Sequence, residues 1–156
     1  VESLPEGIKD SQDAVAETIA NNVRSTIIRQ RLTDPAYYDK MSNLLAEILE
    51  DLRQKRLSYQ EYLERIDDLA RRTHTPPTEH FSSNLDTDGR RALYNNLGEN
   101  EERALQVDAA VKAARPDGWR GVRARELVIK RAIYEVLGDE DEVERIFLII
   151  EKQREY

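Results

Sequence analysis

Apolar residues return every three or four positions from residue 11 to the end of the chain, the interval that puts them on one face of a helix. Val15, Ile19, Val23 and Ile27 mark a first helix over about 11–31, preceded by ten residues that read as a loop. Asn22 and Thr26 fall on the same predicted face, where either an interhelical hydrogen bond or a partner would satisfy them. Asp34-Pro35 is a helix start: an N-cap acid, then the residue best tolerated in the first turn. Met41, Leu44, Leu45, Ile48, Leu49 and Leu52 follow as the cleanest amphipathic stripe in the chain. Ser58 and Glu61 form a capping box for a third helix with Tyr62, Leu63, Ile66, Leu69 and Ala70 inward. The short break between Arg56 and Tyr59 predicts an antiparallel helical hairpin.

The rhythm stops at 73–86, where Pro76-Pro77 cannot continue a helix and the polar residues after them read as an exposed connection. Beyond it, Leu93 and Leu97 define a short helix closed by Gly98. Asn100 caps a fifth helix with Ala104, Val107, Val111 and Ala114 on one face, ended by Pro116. A sixth runs over about 122–137 with Val122, Ile129, Ile133 and Val136 inward, closed by Gly138. Asp139, Asp141 and Glu142 suit the positive start of a seventh, whose stripe is Val143, Ile146, Phe147 and Ile150. No segment alternates as a strand would. The predicted class is all-α, about seven helices in a bundle-like domain. Two helical halves, 11–72 and 87–156, are joined by the proline-containing connection at 73–86.

Composition narrows the setting. The 156 residues fit one domain, and 39% apolar with 35% charged content predicts a soluble protein with a thin, well-patterned core. No apolar run approaches the roughly 20 residues that would span a bilayer, so no membrane partner is expected. The absence of cysteine excludes disulfides and thiolate metal sites. No signal peptide opens the sequence, and cytoplasm is the simplest expected address. The first residue is Val1 rather than Met, which suggests a piece of a longer protein.

Recognisable catalytic patterns are missing from the sequence. No glycine precedes a lysine, as a phosphate-cradling loop requires, and none of the six lysines follows an acid by two positions, as in metal-dependent nucleases. His74 and His80 flank Glu79 in the proline segment, but that spacing fits solvated histidines better than zinc ligands. Glu47, Glu50 and Asp51 border a leucine stripe and read as a solvated face rather than an acid–base pair. No catalytic, cofactor-binding or metal-binding residue is therefore assigned.

One cluster stands out. Between Lys112 and Arg131 lie seven basic residues against two acids, Asp117 and Glu126, in a chain whose net charge is −7. The only tryptophan, Trp119, sits beside Arg120 in the turn before the sixth helix, and Arg123 and Lys130 share a line on that helix next to Leu127 and Tyr134. Trp119, Arg120, Arg123, Arg125 and Lys130 form the candidate partner interface. Such a group could anchor an acidic protein surface or a phosphate backbone. Equally, Trp119 could tuck into the core while the arginines pair with nearby carboxylates.

The runs AVAETIANNVRSTII (14–28), DPAYYDKMSNLLAEILEDLRQKRLSYQEYLERI (34–66), RRALYNNLGENEERAL (90–105), DGWRG (117–121) and DEVERIFLIIEKQREY (141–156) occur in fixed order. In that order and spacing the chain resembles the C-terminal helical region of the R (motor and restriction) subunit of type I restriction–modification enzymes. Residues 72–89 lie outside the resemblance. It implies a parent with a metal-dependent nuclease domain and ATP-driven DNA translocase domains, using ATP and Mg2+, none of it in this segment. It further implies a helical tail that docks onto the methyltransferase and specificity subunits. DNA contact through the complex or through the basic cluster is the alternative role.

Overall fold

The computed structural model describes residues 6–156, with side chains described from Ser11 onward. The described residues form seven α-helices and no strand: α1 (Glu6–Gln30), α2 (Pro35–Arg53), α3 (Tyr59–His74), α4 (Asp88–Asn96), α5 (Glu101–Ala114), α6 (Arg123–Leu137) and α7 (Glu140–Lys152). A single 3-10 turn, Arg31–Thr33, links α1 to α2. No helix among the described residues is long and apolar enough to cross a membrane. The described chain groups into two compact units that do not follow its order: 6–30 with 38–77, and 31–37 with 78–156.

In the first unit, α1 already runs from Glu6, so the expected ten-residue loop is helical over 6–10; residues 1–5 lie outside the described region. Its inward face is Ala16, Ala20, Val23 and Ile27, while Val15 is 46% exposed. The expected stripe was thus rotated in its first half. Small side chains let α1 and α3 pack closely, and the Tyr62 hydroxyl donates to the carbonyl of Ala16 at 2.8 Å. Asn22 faces solvent, and the Thr26 hydroxyl donates to the Asn22 carbonyl within the same helix, not across to another. In α2 Met41, Leu45 and Ile48 of the expected stripe are buried and Tyr38 extends it, while Leu44, Leu49 and Leu52 are half-buried. Ser58 caps α3 by accepting from the Glu61 amide at 3.1 Å. Tyr38 reaches the Thr73 carbonyl (3.4 Å) and Asp51 faces Arg65 (3.6 Å), the pairing order of an antiparallel hairpin.

The second unit is built on α4–α7. Thr87, Asn100 and Asp139 each accept the N3 amide of the helix they open. Gly138, at φ 68°, ends α6 in the left-handed conformation that glycine adopts without steric cost. Helix α5 packs against α4 and α6, and α7 against α4 and α6. Between them lie Leu93, Val107, Val111, Ile129, Ile133, Ile146 and Ile150, each fully enclosed.

Two local expectations fail here. Val122 is 42% exposed and lies just outside α6 rather than inward. The segment after the prolines is not simply an exposed connection. Leu85 is buried in this core, and Phe81 packs on it edge-on to Tyr94 at 5.7 Å.

The 31–37 stretch belongs to this unit through a polar clasp. Asp34 accepts from the Tyr37 amide (3.2 Å), from Asn96 (2.7 Å) and from Asn95 (2.8 Å). Asn96 in return accepts the Ala36 amide at 3.0 Å. Burial raises the Asp34 carboxyl above its ordinary value even though these hydrogen bonds act to lower it. The DPAYY and ALYNNLG runs, about 60 positions apart in sequence, are thus joined in space.

Candidate interaction surface

Trp119 sits in a tight turn between Gly118 and Gly121, both at positive φ (59° and 77°). The turn is tied from within: the Arg125 guanidinium donates to the carbonyls of Asp117 (2.9 Å) and Gly118 (3.4 Å). The indole points inward. It is 3% exposed, rests against Phe147 with ring centroids 5.7 Å apart, and donates to the main-chain oxygen of Tyr156 at 3.0 Å. Arg120 lies over the indole, 4.4 Å from its centroid, and donates to the carbonyls of Glu151 (3.0 Å) and Gln153. Lys130 pairs with Glu144 at 3.0 Å and stands over the Phe147 ring. Of the five candidate interface residues, Trp119 is therefore removed by burial, and Arg120, Arg125 and Lys130 serve the fold. Of the five, Arg123 alone is exposed with neither an ion pair nor a hydrogen bond among the described residues.

What these residues hold is the last stretch of the sequence. Residues 153–156 lie across the second unit, fixed at every position except Arg154. Gln153 donates to the Thr33 carbonyl at 2.6 Å. Glu155 accepts from the Gly89 amide (2.5 Å) and pairs with Lys112 (3.4 Å), while its carbonyl takes Arg115. The Tyr156 ring is buried, and its hydroxyl donates to Asp108 at 2.5 Å. The WRG turn and the QREY ending are two halves of one joint.

Asp108 is the centre of that joint and was not anticipated. It is 2% exposed, and beyond Tyr156 it meets Lys112 Nζ at 2.9 Å and Arg90 Nε at 3.0 Å. Burial acts to raise its pKa, but hydrogen bonds from Tyr156, Lys112 and Arg90 outweigh that and hold it below the ordinary carboxylate value. Burial and the Asp108 charge together push the Tyr156 hydroxyl far above the ordinary tyrosine range. The sequence did carry a signal: at 100° per residue Asp108 borders the arc of Ala104, Val107 and Val111, so an acid lies at the edge of an inward stripe.

The tail passes so close to α4 that only glycine fits at residue 89. A Cβ there would lie 2.6 Å from Glu155 Cδ and 2.7 Å from Tyr156 Cε2. Gly89→Ala is expected to destabilise the protein by about 1–3 kcal/mol, because the enclosed Tyr156 ring must shift. Urea unfolding checks it, and an unchanged midpoint would mean that the tail does not seat there.

The opposite side of α6 is open. Of the eight large apolar side chains that solvent reaches among the described residues, four lie between 122 and 134: Val122, Leu127, Val128 and Tyr134. On the helical wheel Leu127 and Tyr134 fall between Arg123 and Arg131, both exposed and neither in an ion pair among the described residues. Three of the other residues weighed for chemistry have partners within the fold. Glu50 pairs with Arg53 (3.3 Å), Asp51 with Arg56 (3.2 Å) and Arg65, and His80 stacks on Phe81 at 4.1 Å. No group of three or more His, Asp or Glu able to hold a metal occurs among the described residues.

No family model, curated protein or solved structure matches this chain. The functional reading rests on the residue runs and on this geometry.

Proposed function

We propose that the chain is a noncatalytic assembly module, the C-terminal helical region of a type I restriction R subunit, which docks the ATP-driven motor and nuclease onto the methyltransferase core. The ATP and Mg2+ sites of such a parent would lie outside this segment. The observation that carries the reading is the open face of α6, where the apolar side chains of Leu127 and Tyr134 are exposed between two arginines, Arg123 and Arg131. Exposed apolar side chains rimmed by charge commonly mark contact sites for other proteins. The residue runs behind the resemblance support it as well. Two pairs of them, DPAYY with ALYNNLG and WRG with QREY, make the long-range joints of the second unit, so their co-occurrence follows from one fold.

Capture of a purified methyltransferase–specificity core by the immobilised chain tests the proposal. Binding at micromolar concentration is expected, and its absence would sink the assembly role. The rival reading, a DNA-contacting domain, draws on the same unpaired arginines. It predicts duplex binding that weakens steeply with salt, with a slope that shrinks when Arg123 and Arg131 are neutralised.

A further inference from the structure

We infer that the exposed strip of α6 is the seat for an acidic amphipathic helix of a partner protein. The inference rests on the assembly reading for which protein supplies that helix, and on α6 itself for the chemistry.

The charge pattern selects the occupant. Arg123, Leu127 and Arg131 are spaced by four residues, so the two guanidinium-bearing positions stand about 12 Å apart along the axis with the leucine midway. Tyr134 continues the strip and Val128 flanks it; all five are exposed. The other basic residues around them are committed to the fold: Lys112 to Asp108 and Glu155, Arg115 to the Glu155 carbonyl, Arg120 to the tail carbonyls, Arg125 to the WRG turn, and Lys130 to Glu144. The acids on α6 leave the arginines unmatched. Glu126 turns back to accept the Gly121 amide at 3.1 Å, and Glu135, one turn after Arg131 and between it and Val128 on the wheel, forms no ion pair with it among the described residues. What is missing is a pair of carboxylates bracketing an apolar side chain. A helix carrying Glu or Asp four residues on either side of a leucine supplies that pattern, and near-parallel packing keeps the two sets in register.

A phosphate backbone would satisfy the arginines but leave Leu127, Val128 and Tyr134 in water. The apolar centre of the strip favours protein.

The test uses the full chain and a fluorescent helical peptide with the pattern Glu-x3-Leu-x3-Glu in an alanine–glutamine host, read by anisotropy. Saturable binding is expected, weakened roughly tenfold or more in the Arg123→Glu/Arg131→Glu double variant. A peptide with lysines replacing the glutamates should restore binding to that variant. Circular dichroism should show the variant folded, since neither arginine has a partner to lose. Failure of the wild-type chain to bind the acidic peptide would overturn the inference, and so would equal binding by the double variant. Tighter, steeply salt-dependent binding to a 20-base-pair duplex through the same arginines, a length of about two helical turns, would overturn it in favour of nucleic acid. Core capture separates the two proposals. If wild type and double variant capture the core equally, the α6 seat falls and assembly stands. If the peptide binds as expected but the wild-type chain captures no core, assembly falls and the seat stands.

Discussion

Replacing Asp108 with alanine is expected to cost about 3–5 kcal/mol of stability, the range for breaking a buried ion pair from one side. The carboxylate is enclosed, and its two oxygens take Tyr156, Lys112 and Arg90 at 2.5–3.0 Å. Alanine leaves the enclosed Tyr156 hydroxyl without an acceptor and takes the buried counter-charge from two cations, Lys112 keeping only Glu155 and Arg90 only Asp86, an outcome worse than never having buried the group. The same geometry fixes a pH window. The folded pKa of Asp108 lies below its ordinary value, so its contribution is present above about pH 4 and is lost as pH falls through the folded value. Tyr156 is shifted the other way. Its contribution is complete below about pH 10 and is lost as pH rises beyond that. Urea midpoints across pH 2–11 should therefore fall at both ends, and Asp108→Ala should flatten the acid limb. A loss below about 1 kcal/mol at pH 7 would mean that water reaches the carboxylate and that the tail is only loosely seated.

The helices were legible because their signals are local. Asp34-Pro35, Ser58 with Glu61, Asn100 and Asp139 announce helix starts through the hydrogen bonds they make within a few residues, and each makes them. The stripes of α2, α3, α5 and α7 repeat often enough to fix which side is inward. Helix α1 failed in part because two sets of positions, Val15/Ile19 and Ala16/Ala20, differ by one residue, and hydrophobicity favours the larger side chains. Close approach to α3 favours the smaller ones, and that depends on a partner helix no local pattern reveals. The segment after Pro77 misled for a related reason. Turn residues hide the seats that Phe81 and Leu85 find in a core built mostly from residues further along the chain. The candidate interface was hardest to resolve. An arginine that caps a carbonyl and one that waits for a partner have the same letter, and only tertiary contacts separate Arg120, Arg125 and Lys130 from Arg123 and Arg131.

Trp119→Ala is expected to destabilise the protein by about 3–5 kcal/mol, the range for removing an enclosed large aromatic side chain. Three losses combine: the contact with Phe147, the hydrogen bond to the Tyr156 main-chain oxygen, and the platform beneath Arg120. Because the last is tied to the Glu151 and Gln153 carbonyls, the tail should loosen with the indole. Trp119→Phe keeps an aromatic ring but drops the N–H donor, leaving an enclosed acceptor unmatched, and should cost about 1–3 kcal/mol. Fluorescence offers a direct reading, since the chain has one tryptophan. Folded emission should be blue-shifted and poorly quenched by acrylamide, and free quenching would contradict the burial. The variants also bear on assembly. If the indole serves only the fold, Trp119→Phe should capture the methyltransferase core as wild type does wherever it is folded. A folded Trp119→Phe protein that lost capture would show the partner reaching the WRG turn itself, and the α6 strip would then be too narrow a description of the docking face.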